Sequence, residues 1–275
     1  MHSLWRYGLS IACTAMTAAA SGAIKHEIVR HHGPLVNDAV AAIEPIAFDA
    51  AEFKASDGTI LPYRFLLPSR PVEGQRYPLV LQLHGSGGIG TDNLKQIDRL
   101  AKAWAVPELR ARYQAYVLVP QFPVRSANYG PAAADQYAAH AAVLVAALEL
   151  VDEFVRTRPV DTSRIYATGF SMGGSATWLA ATLRPGLFAA LVPVSGIAPA
   201  NSFAPLFKTL PTLAIHGNAD TENPLTADLR FVREIHRVGG TAIRLREYEG
   251  LDHQIPDDMF PGRWWRDWLF EQRGK

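Results

Sequence analysis

Short apolar runs alternate with longer helical patterns over most of this chain, and that alternation constrains the fold more than any other feature. Apolar runs of strand length cover 79–83, 116–119, 165–168, 190–194, 212–215 and 243–248. Helical patterns lie between or after them, at 94–113, 135–157, 173–183, 225–238 and 263–271. Apolar strands that alternate with helices predict a parallel sheet with helices on both faces.

A second pattern precedes the first of these strands. Two extended runs, 48–55 and 60–67, flank Asp57-Gly58. Such a pair predicts a hairpin, because glycine tolerates the positive φ of a tight turn. We therefore expect an α/β fold of about eight mostly parallel strands, with an antiparallel hairpin at one edge. Residues 196–210 are too few for a large lid.

Composition and charge exclude several classes of protein. The chain has 275 residues, 48% of them hydrophobic and 19% charged, which suits one globular domain with a full core. The formal net charge is +1, and charges of both signs are interspersed. We therefore expect no nucleic-acid partner, which would need a basic stripe. No cationic amphipathic membrane helix is visible either. Oligomeric state is left open.

The N-terminal residues have the pattern of a secretory signal peptide. Arg6 is followed by an uncharged, small or apolar run over 7–20, and small residues then stand at cleavage spacing before residue 24. A single membrane anchor is the alternative, but the run is short for a bilayer. The only cysteine, Cys13, lies in this segment, so a cleaved protein would have neither disulfides nor a cysteine metal site. We expect a secreted or periplasmic bacterial protein without stable membrane insertion.

Residues 24–46 resemble a linker and show no clear period. His26, His31 and His32 lie in this extension. Three histidines could bind a metal ion, but no carboxylate or cysteine pattern accompanies them, so we interpret the stretch as a solvated tail.

A G-x-S-x-G motif follows the apolar run 165–168. It reads Gly169-Phe170-Ser171-Met172-Gly173, and a helical pattern comes directly after it. Between a strand and a helix, this motif predicts a tight turn that projects a nucleophilic serine above the sheet. A Cβ at either flanking glycine would clash in that turn.

A serine hydroxyl needs a base, and the base needs an acid to orient it. Asp220 follows the run 212–215, and His253 is the only histidine after the last strand. We therefore predict Ser171, Asp220 and His253 as a triad in the chain order serine, acid, histidine. Glu222 is the near alternative acid, and Asp252 and Asp228 are weaker ones. We interpret His216 as structural and His236 as a helix-surface residue.

The glycine-rich stretch His84-Gly85-Ser86-Gly87-Gly88 follows the run 79–83. A loop in this place can supply a backbone N–H to an oxyanion, together with the residue after the nucleophile. We expect the N–H groups of Ser86 and Met172 in this role, with Gly87 as the alternate. A phosphate-binding loop is disfavoured, because no Gly-Lys-Ser/Thr follows.

These segments together resemble the secreted esterases and predicted peptidases of the phospholipase/carboxylesterase-like group, within the α/β-hydrolase superfamily. The resemblance spans roughly residue 49 to the C-terminus and is carried by 78–88, 90–93, 120–123, 161–174 with Trp178, 216–220 and 250–253. It implies the α/β-hydrolase fold, esterase activity, the same triad and no cofactor or metal. Two residues depart from the group: Phe122 stands where it usually has cysteine, and Asn223 where it usually has valine.

We therefore predict a signal peptide over 1–23, an extension over 24–46 and a catalytic α/β-hydrolase domain over 47–275. The expected reaction is cleavage of a small-molecule or polymeric carboxylic ester, with Phe122, Tyr129, Phe170 and Gly87 contacting the substrate. A peptidase or polyester depolymerase with the same triad is the first alternative. A non-catalytic binding module on this fold is a remote one.

Overall fold

The computed structural model describes residues 25–30, 38–260 and 262–274. The predicted signal peptide, together with His31 and His32, lies outside the described residues. Among the described helices, none has both the length and the apolar composition needed to cross a bilayer.

The strands of the described residues form one nine-stranded sheet and one small two-stranded sheet. In chain order they are β1 Lys25–Arg30, β2 Asp49–Lys54, β3 Ile60–Leu66, β4 Tyr77–Leu83, β5 Tyr116–Pro120, β6 Ala127–Asn128, β7 Ala139–His140, β8 Val160–Phe170, β9 Ala190–Val194, β10 Thr212–Gly217 and β11 Ile243–Glu249. The large sheet has the order β1-β11-β10-β9-β8-β4-β5-β3-β2. From β1 to β5 in that order, neighbouring strands run parallel, and β3 and β2 are antiparallel.

Helices cover both faces of this sheet. They are α1 Asp38–Ala41, α2 Arg99–Ala105, α3 Pro107–Arg112, α4 Ala142–Thr157, α5 Met172–Leu183, α6 Leu225–Arg237 and α7 Arg263–Glu271. On one face α4, α5 and α6 pack around the fully buried Trp178, which contacts Phe207 and Phe231 edge-on. On the other face α2, α3 and α7 pack around Trp104 and Trp265. The predicted two-faced sheet and its N-terminal hairpin are therefore confirmed.

Three features differ from the expectation. The helical pattern 94–113 is two helices, because Pro107 has no N–H and disfavours a helical conformation at Val106, whose ψ is 126°. The predicted helix 135–157 begins only at Ala142, and β7 precedes it. The third difference is β1, which belongs to the extension that lacked a clear period.

Strand β1 adds a ninth strand to the sheet beside β11. Five of its six residues, including Ile28, are exposed and Val29 is half-buried, so no face of the strand is buried and no alternation appears in the sequence. His26 is not a free tail residue: its Nε2 lies 2.8 Å from Glu247 Oε2 on β11. Backbone pairing with β11, rather than side-chain burial, positions this segment.

Candidate active site

Ser171 lies in a strained turn between the end of β8 and the start of α5. Its φ is 58° and its ψ is −121°, values that cost a non-glycine residue about 1–3 kcal/mol. Its N–H donates to the carbonyl oxygen of Val194 at 2.9 Å, which fixes the turn against β9. Strain retained in a buried turn is common at functional sites.

Two glycines allow this turn to lie against β4. A Cβ on Gly169 would lie 2.4 Å from the carbonyl oxygen of Leu83, and one on Gly173 would lie 2.1 Å from the same atom. Neither distance can be accommodated without a backbone shift. The steric requirement predicted from the motif is therefore present, because β8 and α5 lie too close to the end of β4 for a Cβ at either position.

Loops after β10 and β11 bring Asp220 and His253 to this serine. His253 Nε2 lies 2.8 Å from Ser171 Oγ, and His253 Nδ1 lies 2.8 Å from Asp220 Oδ2. Since a carboxylate only accepts, Nδ1 carries the proton, and Nε2 is free to accept the serine hydroxyl proton. The structure thus brings together residues that are 82 and 33 positions apart in the chain.

The Asp220 carboxylate is buried and well provided with donors. Its Oδ1 accepts from the N–H groups of Glu222 at 3.0 Å and Asn223 at 2.8 Å. Burial raises the pKa of Asp220, but His216, His253 and these N–H groups outweigh that effect and hold the pKa well below its usual range. Asp220 is therefore ionised at neutral pH.

The alternative acids occupy different surroundings. Glu222 has a side chain that is 74% exposed, and its Oε2 lies 3.8 Å from Nε2 of His253 rather than from Nδ1. Asp252 is exposed. Asp228 is buried, but it contacts His216 and not His253. Of the four acidic residues considered, only Asp220 contacts the ring nitrogen that faces away from Ser171.

Both expected oxyanion donors begin helical segments. Met172 is the first residue of α5, and Ser86 is the first residue of a short 3₁₀ turn, Ser86–Gly88. The first N–H groups of a helical segment have no acceptor within it. The glycine-rich loop lies beside the nucleophile, since a Cβ on Gly85 would lie 3.6 Å from Ser171 Cβ. At Gly87 a Cβ would meet nothing within 4 Å.

His84 anchors this loop, a role that was not predicted from the sequence. Its Nε2 accepts from the N–H of Phe122 at 3.0 Å, so its Nδ1 carries the proton and donates to the carbonyl oxygen of Gly85 at 2.7 Å. Burial lowers the pKa of His84 to about 4, so the ring stays neutral. A histidine directly before a glycine-rich loop is the sequence signal that could have indicated this role.

A cavity of about 440 Å³ opens beside Ser171. Phe170, Gly87 and Ser86 line it, and the Phe170 ring lies 4.9 Å from that of His253. Three charged residues that were not predicted from the sequence also line it: Lys95, Asp98 and Arg99.

Two expected pocket residues lie elsewhere. Phe122 is fully buried in the core against the His84 ring, so its side chain does not line this cavity. Tyr129 lines a separate surface cavity and packs under the Arg125 guanidinium, 4.9 Å from the ring centroid. Apolar residues near a sheet edge are recruited to the core as readily as to a pocket, and the sequence does not distinguish the two.

Residues 132–261 match the model of the phospholipase/carboxylesterase family. A crystal structure of a thermostable esterase superimposes with a TM-score of 0.74 and 30% identity, over 83% of this chain and 63% of that chain. The chain has the α/β-hydrolase fold. Its predicted fold class and its resemblance to the phospholipase/carboxylesterase group are confirmed.

Another similar protein is the proposed esterase NocK of Nocardia uniformis subsp. tsuyamanensis. The two are 28% identical over 231 residues, which are 80% of this chain and 65% of NocK. Est1E of Butyrivibrio proteoclasticus has a TM-score of 0.54 at 19% identity, over 74% of this chain and 90% of Est1E, and shows the fold alone. The chain spans just under two thirds of the length of NocK and of the thermostable esterase.

Proposed function

We propose that this α/β-hydrolase cleaves carboxylic esters through an acyl-enzyme on Ser171. The observation that carries the proposal is the hydrogen-bonded chain Ser171 Oγ–His253–Asp220, with both contacts at 2.8 Å, on a strained turn. The esterase relatives and the phospholipase/carboxylesterase family match support the ester as substrate.

The proposed reaction has two steps, acylation of Ser171 and hydrolysis of the acyl-enzyme, and in both His253 acts as a general base. His253 Nε2 takes the hydroxyl proton while Ser171 Oγ attacks the ester carbonyl, and the resulting imidazolium is stabilised by Asp220. The proton passes to the departing alcohol, which leaves the acyl group on Ser171. Water then attacks the acyl-enzyme with His253 again as base, releasing the acid and restoring the serine.

The negative charge that develops on the carbonyl oxygen needs fixed donors. We assign these to the N–H groups of Met172 and Ser86, with Gly87 as the alternate for the second. The start of α5 adds the positive end of a helix dipole. Because the Ser86 donor is a backbone group, Ser86→Ala should keep activity within a few-fold.

The cleft beside Ser171 supports an open site that admits a small ester or the end of a polymer chain. A peptidase with the same triad would differ only in the leaving group. Rates on p-nitrophenyl esters and on peptide p-nitroanilides, measured side by side, separate the two activities. We expect esters to be cleaved and anilides to be cleaved at least a hundredfold more slowly, or not at all; the reverse order would contradict the ester assignment.

The decisive experiment is labelling with a fluorophosphonate, followed by mapping of the modified residue. We expect modification of Ser171, and a loss of turnover of at least about a thousandfold in Ser171→Ala. Ser195 provides a matched control, since it is also a buried serine with positive φ, at 46°. Ser195→Ala should still be labelled at Ser171. Full esterase activity in a folded Ser171→Ala protein would refute the proposal.

We also propose that residues 1–23 direct export, so that the domain over 47–275 acts outside the cytoplasm. Expression of the full chain and of a version lacking 1–23 in a bacterial host tests this. Mature protein in the periplasm or medium, with its N-terminus near residue 24, is expected only for the full chain. Equal amounts of both versions in the cytoplasm would contradict export.

A further inference from the structure

A second histidine–carboxylate pair lies directly behind Asp220, and the steps of the proposed reaction do not use it. His216 is near the end of β10, Asp228 is in the first turns of α6, and both side chains are fully buried. His216 Nδ1 lies 2.9 Å from Asp228 Oδ2, and its Nε2 lies 3.4 Å from Asp220 Oδ2. The Asp220 oxygen that accepts from His253 thus also faces His216.

The surroundings of the His216 ring determine its charge. Nε2 lies 2.7 Å from the carbonyl oxygen of Asn223, which can only accept, so Nε2 carries a proton. Nδ1 faces the Asp228 carboxylate and carries the second. Burial lowers the pKa of His216, but the carboxylates of Asp220 and Asp228 outweigh it and raise the pKa to about 10. The ring is therefore a buried imidazolium.

Charged side chains on β11 and α6 near this pair have hydrogen-bond partners of their own. Glu247 on β11 is the register partner of His216, but its carboxylate contacts His26 and Asn218, each at 2.8 Å. Arg230, on α6, donates to the carbonyl oxygens of Pro199 and Gln136 and to Asn201. Asp228 and Asp220 are the carboxylates in direct contact with His216.

We propose that His216, held by Asp228, is a positioning residue that keeps the Asp220 carboxylate ionised and turned toward His253. The inference rests on the proposed function, because it assigns the pair a role in that reaction. His216 acts by two routes. Its positive charge faces Asp220 Oδ2, and its Nε2–H fixes the carbonyl of Asn223, whose own N–H donates to Asp220 Oδ1 at 2.8 Å.

Asp228→Asn is the first test, because it preserves shape while removing the charge that holds the second proton on His216. The variant loses a buried positive charge that faces the triad carboxylate, so the pH below which kcat/KM falls should move up by roughly half a unit to one unit. Looser positioning of Asp220 should lower kcat roughly ten- to a hundredfold with KM little changed. A purely structural pair would lower stability without moving the pH profile.

Glu247→Gln is the matched control, since Glu247 is a buried carboxylate at the same register on β11 that does not contact His216 or Asp220. It should keep both the kcat and the pH profile of the unaltered protein. His216→Gln should show the same direction of change as Asp228→Asn. Folded Asp228→Asn and His216→Gln proteins with an unchanged kcat and pH profile would overturn the proposal.

A measurement on the unaltered protein covers the case in which neither variant folds. In ¹⁵N-labelled protein at pH 8.5, ring-nitrogen spectra should show one histidine with both nitrogens protonated. If no such imidazolium is found, the proposal fails. This readout does not depend on catalysis, so a Ser171→Ala protein that kept full activity would defeat the proposed function while leaving the imidazolium signal intact.

Discussion

Asp220 and Glu222 are two positions apart and both carry a carboxylate near His253, yet their surroundings differ. The Asp220 side chain is fully buried and accepts from two backbone N–H groups, whereas the Glu222 side chain is 74% exposed. A buried, fully hydrogen-bonded carboxylate keeps one orientation, while an exposed one is screened and mobile. At the residue scale, burial rather than chain position distinguishes the acid.

Replacement of each acid by its amide tests this distinction. Asp220→Asn should lower kcat by about 10³- to 10⁴-fold, because the amide no longer selects the His253 tautomer that can accept the serine proton. Glu222→Gln should stay within a few-fold of the unaltered protein. Both are measured as kcat on a p-nitrophenyl ester, and the opposite ranking would transfer the role to Glu222.

Among the secondary-structure elements, the close approach of α5 to β4 determines where the nucleophile projects. Gly173 is the second residue of α5, and its Cα faces the last carbonyl of β4. The helix can begin this close to the strand only because no side chain intervenes. The position of Ser171 therefore depends on the lack of a side chain at Gly173 as much as on the contacts that Ser171 makes.

Gly173→Ala should lower the free energy of unfolding by about 3 kcal/mol, because the added Cβ would lie 2.1 Å from the Leu83 carbonyl oxygen and must displace backbone. Gly130→Ala is the control, since a Cβ there meets nothing within 4 Å. It should change stability by less than about 0.5 kcal/mol. Urea unfolding of both variants provides the comparison. Equal losses of stability in the two variants would show that α5 does not approach β4 closely.

Two buried histidines make the free energy of unfolding of the whole molecule depend on pH. One of them acts at acidic pH and the other at alkaline pH. The pKa of His84 is lowered to about 4, so the unfolded chain binds its proton more readily as the pH falls from 6.5 toward 4. The pKa of His216 is raised to about 10, so its contribution is full below pH 6.5 and is lost as the pH rises toward 10. The two contributions fall on opposite sides of pH 6.5.

We therefore expect the summed contribution of these two histidines to the free energy of unfolding to be highest near pH 6.5. By pH 4, the lowered pKa of His84 alone reduces the free energy of unfolding by about 3 kcal/mol. Urea unfolding at pH 5, 6.5 and 9 measures the curve. His84→Gln should reduce the fall toward pH 5 and Asp228→Asn the fall toward pH 9. His140→Gln, at an exposed histidine, should leave its shape unchanged. Variant curves parallel to the original would contradict the assignment.

Local patterns were sufficient to predict most of the fold. Apolar runs between turn residues gave β4, β5 and β9 through β11 to within two residues at each end, since a strand buried on both faces must be apolar throughout. The run 165–168 indicated β8 but missed its first five residues, 160–164. The Asp57-Gly58 turn gave the hairpin, and Gly58 has a φ of 87°. Strand β1 was missed because it is held by backbone pairing and buries no face.

The sequence by itself determined which strand ends carry Ser171, Asp220 and His253, because turn chemistry and chain order are local properties. Only the tertiary structure decided the contacts: that Asp220 rather than Glu222 meets His253 Nδ1, that Phe122 is in the core, and that His216 lies behind the acid. Those contacts join residues from different strands and helices, whose distances depend on how the sheet and α6 pack. A linear pattern records the residue types but not that packing.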